Sequence, residues 1–332
     1  MQYSPIATSG MGSTLAEQVG VVQTQPRKFL SKTYPIRMGN SMPIAYGGCI
    51  IAVAVSAAYS TVPPTFSPYS ILGHFHGPAS TEEKLHCNVE GTRNTRTFAT
   101  RRVQVKQKQK DGKFRVCLEL IADFQAQEPS ALEYSAPPTA TWPRPEDCPS
   151  AAEHVEKLRV CGDVTLAQVT AFMRSLGPHL DLFETRSCLN GEAAQNLSGA
   201  AKEVITTQEK LPITSKTSAE WQSVKETLQS PTENFVALAF LMDGGLSFVP
   251  LTHNHLWFDD VVACSTLDFA LRLFMPDVKM DSWHLKERKT SRGGGGRTYS
   301  EGRLWDVDGR LVASMTQQSI LRIKNDAAHS NL

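Results

Sequence analysis

Along residues 46–60 (YGGCIIAVAVSAAYS), the apolar side chains of Ile50, Val53, Ala54, Ala57 and Ala58 recur at i, i+3, i+4, i+7 and i+8, which predicts a helix. Ile51 and Val55 make the opposite face apolar as well, so this helix is expected to be buried on all sides. Gly47 and Gly48 open it, and without side chains they let a ligand or a second backbone approach the unpaired N–H groups of the first turn. The most hydrophobic run, Cys49 to Ala58, is far short of the roughly 20 residues that cross a bilayer, so no membrane span is expected. Further on, Phe114, Val116, Leu118, Leu120, Ala122 and Phe124 alternate with Arg115, Glu119 and Asp123, the period of a strand with one apolar face. Asp111-Gly112 supplies the turn before it.

The second half repeats this order. A second apolar helix is predicted over Phe235–Phe248, followed by strands over Ala263–Phe274, Arg297–Asp306 and Leu311–Arg322. Asp308-Gly309 follows Asp111-Gly112 by 197 positions and Pro276 follows Pro78 by 198. Val249-Pro250 follows Val62-Pro63 by 187, so the second copy has a longer loop after its helix. Between the copies lies a Pro-rich linker, Glu128 to Pro149, then a short helix over Leu166–Leu176, with the first strands of the second copy expected near Leu180. The pattern predicts an α+β protein in which two antiparallel sheets each wrap a buried central helix. Its expected parts are an N-terminal domain over 12–127, a linker over 128–177 and a C-terminal domain over 178–325.

Two polar residues break the apolar pattern of the second copy. Asp243 lies among Leu241, Met242 and Leu246, where a carboxylate must be paired or shift its pKa toward neutrality. Gln317 interrupts the face made by Leu311, Ala313, Met315 and Leu321. At the corresponding offsets the first copy has Ser56 and Leu120, so it keeps the architecture without the acid or the amide. A salt bridge for the aspartate and a backbone hydrogen bond for the glutamine are the plainer readings of each residue alone. The shared asymmetry between the copies favours chemistry.

Composition narrows the class. The chain has 332 residues, is 41% hydrophobic and 20% charged, and carries a formal charge of +1, which gives no electrostatic case for nucleic acid. Its seven cysteines show no CxxC spacing, so neither a zinc site nor a disulfide framework is indicated and a reducing, intracellular compartment is expected. No metal site is expected either, and His253 and His255 are assigned structural roles. Cys49 and Cys264 have no histidine assigned to them as a base.

The blocks YGGCIIAVAVSAA and FATRRVQVKQ…LIADFQ in the first copy, with LAFLMDGG, STLDFALRLFMP and GRLWDVDGRLVASMTQQSILR in the second, resemble the type II acyl-CoA thioesterases, the bacterial thioesterase II and its peroxisomal relatives. The resemblance implies a double hot-dog fold with a catalytically silent first copy. It also implies a water-binding set of Asp243, Thr266 and Gln317, an acyl-CoA or acyl-carrier thioester as substrate, and no cofactor. Alternation places Thr266 opposite Leu267, Phe269, Leu271 and Leu273, so it must either precede regular pairing or be re-aimed by a bulge. Three departures from the family pattern fall on the expected acyl channel: GGC at the helix opening, Leu267-Asp268-Phe269, and Tyr69 to Phe75 (YSILGHF). They point to a bulkier or oxygenated acyl group, such as a polyketide. Gly47, Gly48, Cys49, Arg101 and Arg297 are the candidate substrate-binding residues, the last flanking a Gly-rich loop suited to phosphate. Acyl transfer or cyclising release, and a non-catalytic acyl-binding module, are the competing functions. A homo-oligomer joined through sheet edges and a cytoplasmic or peroxisomal location are expected, the latter from a weak C-terminal echo, Ser330-Asn331-Leu332, of a peroxisomal address.

Overall fold

A computed structural model describes residues 14–39 and 42–324; the Ser330-Asn331-Leu332 terminus lies outside the described residues. The first half runs α1 (Leu15–Gln18), β1 (Val21–Gln25), β2 (Lys28–Ser31), α2 (Gly47–Tyr59), β3 (Phe66–Phe75), β4 (His86–Asn94), β5 (Phe98–Lys108) and β6 (Phe114–Ala126). The second runs α3 (Ala151–Cys161), α4 (Leu166–Leu182), β7 (Phe183–Ser187), α5 (Glu192–Gln195), β8 (Ser218–Val224) and α6 (Pro231–Asp243). It continues through α7 (Val249–Thr252), β9 (Val261–Leu273), β10 (His284–Gly294), β11 (Arg297–Asp306) and β12 (Leu311–Ile323).

The twelve strands form one sheet in the order β1-β2-β4-β5-β6-β3-β9-β12-β11-β10-β8-β7, antiparallel at every pairing. Read inward from either end, each half contributes six strands in the same order. The two sheets predicted from the repeat are therefore joined edge to edge, through β3 and β9, with Ser70 opposite Arg272 and His74 opposite Asp268. The 197-residue offset persists at the level of register: Thr100 faces Asp123 in one hairpin, and Arg297 faces Ile320 in the other.

Each half-sheet wraps one helix, and α2 and α6 pack on one another. From Gly48 to Tyr59 every residue of α2 is buried, as its apolar circumference requires. Tyr46, just before α2, sets its ring edge-on to Phe240 with centroids 5.0 Å apart and donates its hydroxyl to the Phe240 carbonyl at 2.7 Å. The approach is close enough that a Cβ on Gly48 would lie 2.5 Å from that carbonyl oxygen.

Helix α6 differs from its prediction at both ends. Ser230 caps it by accepting from the Glu233 N–H, so it begins at Pro231, four residues before the expected start at Phe235. It stops at Asp243 rather than Phe248, because Gly244 leaves the helical conformation and Gly245 adopts φ +81°, a conformation that favours glycine. By length and mean hydropathy (1.7) the stretch Pro231–Thr252 suffices to cross a membrane, but it is 89% buried inside this fold and interrupted at those glycines.

The 128–177 linker is also more structured than expected. Its first part is strapped along the outer face of the second half-sheet: Thr139 Oγ1 and Trp142 Nε1 donate to the Glu287 carboxylate, Trp305 Nε1 to Ala136 O and Trp221 Nε1 to Pro143 O. Two capped helices follow. Ser150 with Glu153 and Thr165 with Gln168 form capping boxes at their starts. Helix α4 continues through Pro178 to Leu182 and passes straight into β7, so the expected boundary at 177/178 falls inside a helix. Together with Leu197, Ala200, Ala201 and Trp257, the two helices build a small apolar core of their own.

Candidate active site

Because α6 ends on Asp243, the carboxylate emerges at the last turn of a buried helix, 6% exposed. It meets the first turn of α2: the Gly48 N–H donates to it, and a Cβ on Gly47 would lie 2.8 Å from Asp243 Oδ2. Only glycine at position 47 leaves room for that oxygen. The helix N-terminus also presents partial positive charge to the carboxylate. The site therefore joins an acid from the second copy to a helix opening from the first.

Gln317 projects inward from β12, 1% exposed, and its Nε2 donates to Asp243 Oδ1 at 2.5 Å. Its Oε1 accepts from Thr266 Oγ1 at 3.1 Å. Thr266 reaches this face through a bulge. Gln318 pairs with Asp268 and Ser319 with Thr266, so Leu267 is skipped and the threonine is turned toward the helix side. The re-aiming required of Thr266 by strand alternation is thus present in the register.

Ser247, in the single turn after Gly245, completes the network. Its hydroxyl lies 2.8 Å from Thr266 Oγ1, and Ser319 Oγ donates to it at 3.3 Å. Ser247 Oγ also reaches Gln317 Oε1 at 3.4 Å, so the Ser247 and Thr266 hydroxyls both face that amide oxygen and share the bond between them. Ser319, Ser247 and Thr266 thus lead through the Gln317 amide to the carboxylate, a network in which neighbouring bonds polarise one another. The sequence offered no sign of Ser247 beyond its place after a glycine pair.

Lys286 is a second residue that sequence reasoning missed. It is fully buried on β10, and its Nζ donates to the carbonyls of Leu241 at 2.5 Å and Gly244 at 2.7 Å, capping the C-terminal end of α6. Arg288, two residues along, pairs with Glu220. Burial pushes the Asp243 carboxyl up to about 6, while the Gln317 hydrogen bond, the Lys286 charge and the Gly48 N–H each pull it down. Burial pulls the Lys286 ammonium down to about 7, with Arg288 acting in the same sense and Glu220 and Asp243 against it.

The remaining candidates divide. Gly47 and Gly48 belong to the site. The Cys49 thiol does not: it is wholly buried, bonded to the Ile36 backbone and the Gln18 side chain, and pushed up to about 11 by burial. Arg101 is also displaced from its expected role. It bonds Thr61 through Nε (2.8 Å, to Oγ1) and Nη2 (2.9 Å, to the carbonyl), and through Nη1 the carbonyls of Arg93 and Thr100. Thr61 lies just past the far end of α2, roughly 20 Å from Gly47 at 1.5 Å per residue. Arg297 is exposed at the start of β11, three rungs from the Ser300–Gln317 pair and so roughly 10 Å along the strand. Cys264 donates to the Ser247 carbonyl at 3.2 Å, and burial pushes its thiol up to about 12, which leaves no nucleophilic thiolate.

Among the described residues, Glu192, Glu209 and His255 are the group whose spacing could hold a metal ion, their ligand atoms lying within 4.8 Å of one another. Lys216 already supplies positive charge there, 2.7 Å from Glu192 Oε1, and Thr206 donates to Glu192 Oε2. His255 sits 3.0 Å from Glu209, in keeping with a structural role.

Comparison with known proteins gives the same architecture. The family model of the acyl-CoA thioesterase N-terminal domain matches residues 34–125, and that of the C-terminal domain matches residues 189–321. An acyl-CoA thioesterase II from Mycobacterium marinum superposes with a TM-score of 0.67, covering 94% of this chain and 100% of its own at 20% identity. A hot-dog-fold protein of unknown function from Alicyclobacillus acidocaldarius superposes with a TM-score of 0.66, covering 93% and 98% at 17% identity. Human acyl-coenzyme A thioesterase 8 is 32% identical over 78 residues, 24% of this chain, so the match spans about a quarter of that relative's length.

Proposed function

Because the chain belongs to the type II acyl-CoA thioesterase family, we propose that it hydrolyses an acyl-CoA thioester to the free acid and coenzyme A, using water held by Asp243, Thr266 and Gln317. The observation that carries this reading is the unbroken hydrogen-bond path from Thr266 through Gln317 to a buried carboxylate. Asp243, as the carboxylate, takes a proton from water while the water oxygen attacks the thioester carbonyl. Thr266 and Gln317 fix the water's orientation, and the positive end of α2 favours the oxyanion that develops. Collapse of the tetrahedral intermediate breaks the C–S bond, and the thiolate leaves without a strong general acid. The reaction in this form uses no metal or organic cofactor.

The acyl group is proposed to be compact, bulky or oxygenated rather than a long straight chain. Phe75 comes within 3.2 Å of a Cβ placed on Gly47, beside the carboxylate, and the ring of Phe269, where the sequence departs from the family's histidine, packs on it with centroids 6.0 Å apart. Arg292 and Arg297, on the exposed hairpin, are proposed to meet the phosphates of the CoA or acyl-carrier arm. Arg297→Ala is then expected to raise KM without lowering kcat. Cytoplasmic or peroxisomal residence, checked by cell fractionation, and pairing of copies through the free β1 edge, checked by light scattering, complete the proposal.

Thiol release across an acyl-CoA panel tests the reaction, with short, branched and palmitoyl chains included. Asp243→Asn is expected to lower kcat by about 10² to 10⁴, the range of a lost general base. In heavy-oxygen water the acid product should carry one label. An ester or amide product would establish acyl transfer instead, and unchanged turnover by Asp243→Asn would remove the aspartate from the mechanism.

A further inference from the structure

The fold brings two of the seven cysteines together. Cys148 lies at the end of the proline-rich strap, just ahead of α3, and Cys188 just past β7, so both α3 and α4 fall between them in the chain. A short antiparallel ribbon joins the two segments. Ser150 and Arg186 form a bridge, and the Ser187 N–H donates to the Pro149 carbonyl at 2.9 Å. Carried one step further, this register sets Cys148 opposite Cys188. Cys148 is extended there (φ −100°, ψ 133°), and Arg186 Nη1 pins the ribbon by donating to the Pro145 and Cys148 carbonyls at 3.2 and 3.3 Å.

The register also decides which kind of opposed pair this is. Pro149 and Ser187 share the ribbon's hydrogen bond. The positions on either side are therefore non-hydrogen-bonded pairs, whose Cα atoms stand roughly 4.5 Å apart with their side chains close. A disulfide needs Cα atoms about 4.4–6.8 Å apart. The two thiols are in hydrogen-bond contact with one another, inside an apolar cluster that includes Trp221, Leu285 and Trp305.

Burial pushes both thiols up, which makes the pair slow to react in the closed fold. Their contact pulls Cys148 down and pushes Cys188 up, so Cys188 donates and Cys148 accepts. Cys148 is thus the first of the two to act as a thiolate.

We propose that Cys148 and Cys188 form a dithiol site that a low-molecular-weight disulfide oxidises reversibly to an intramolecular disulfide, bracing the base of α3 and α4. The Cys148 thiolate attacks one sulfur of the small disulfide and expels the other half, which takes up the proton that Cys148 lost. Cys188 then gives up its proton and attacks Cys148 Sγ in the mixed disulfide, releasing the second half as a thiol. One S–S bond forms in the protein and one breaks in the reagent, so two protein thiols are oxidised and two small thiols appear. The bond closes the chain that carries both helices into a loop, which restricts the unfolded state. In reducing surroundings a pair of this kind is transient and follows the redox state. Neither cysteine takes part in the hydrogen bonds around Asp243, so the chemistry is separate from hydrolysis.

The test uses the full chain and glutathione disulfide. The reagent is added once to the folded protein and once during refolding from urea, because Cys148, at 3% exposure, is reached only when the end of the strap lifts. After alkylation, the intact mass should show two thiols fewer and no bound glutathione, and dithiothreitol should restore both. Trypsin without reductant should release Val116–Lys157 joined to Ser187–Lys202. The first peptide also carries Cys117, so Cys148→Ala should lose the link and Cys117→Ala should keep it. Oxidised wild type should have a Tm about 5 °C above the reduced form, a difference absent from Cys148→Ala and Cys188→Ala. The proposal is overturned if the refolded chain keeps all its thiols or carries glutathione only on the exposed Cys161. A link between other cysteines, or one that leaves the Tm unchanged, overturns it equally.

Discussion

Equal rungs of the two half-sheets carry opposite kinds of residue. Gln317 opposes Ser300 where, 197 residues earlier, Leu120 opposes Val103. Arg288 opposes Gly302, and its counterpart by the same register is Cys87, opposite Val105. Two rungs further, Lys286 pairs with Glu220 across β8 where Leu85 bonds Ser31. Charge and amide stand on one side; thiol, leucine and serine stand on the other. Burying ions is costly even when they are paired, and at these rungs the first half carries thiol, leucine and serine instead. That half is still needed. It supplies Gly47, Gly48 and Phe75 to the carboxylate, so the copy without the acid builds one wall around it.

The sharpest way to break the contrast is to move a residue of the first copy into the second. Gln317→Leu leaves Asp243 Oδ1 and the Thr266 hydroxyl without their shared partner, and misplacement of the water is expected to lower kcat about 100-fold. Steady-state thiol release measures it, and a loss below threefold would show that the amide does not position the water. The reverse exchange is smaller. Leu120→Gln buries an amide where no acid or threonine faces it, at a cost of about 1–3 kcal/mol in urea unfolding with kcat unchanged. A neutral result would mean that the first copy hides polar partners at that rung.

Much of this contrast was legible in the chain. The Asp-Gly turns fixed the repeat because their 197-residue spacing is the spacing of the paired hairpins, and Asp243 and Gln317 declared themselves by interrupting apolar faces. Thr266 was on the wrong face by alternation, since a bulge that skips Leu267 exists only in the pairing with β12. Lys286 and Ser247 were hidden for a related reason: their partners are helix-end carbonyls and a hydroxyl from distant segments, and no local pattern marks such partners. Cys49 and Arg101 erred in the other direction. Proximity in sequence to a motif placed them in the site, whereas the helix turns Cys49 toward Ile36 and the strand carries Arg101 to the far end of α2. The end of α6 at Asp243 could have been read from Gly244-Gly245, a common stop signal.

The subtlest test of the one-sided charge is the pH dependence of kcat/KM, which reports groups of the free enzyme. Asp243 must be ionised to act, and its carboxyl is pushed up to about 6, so activity should rise about tenfold per pH unit below 6 and level off above it. The same shift acts on stability with a defined sign. A carboxyl whose folded pKa lies above its unfolded value destabilises the folded chain as pH climbs from about 3.8 to about 6, and Asp243→Asn should abolish that component. Lys286, held near 7, is still charged at the midpoint of the limb and helps to hold the carboxyl down. Lys286→Met therefore should move the limb to higher pH while leaving the plateau rate nearly intact. It also uncaps the Leu241 and Gly244 carbonyls, which is expected to cost about 1–3 kcal/mol of stability. A limb that stays at 6 in a folded Lys286→Met protein would show that the lysine acts on the helix end alone, and that the charge asymmetry between the halves is structural at this rung.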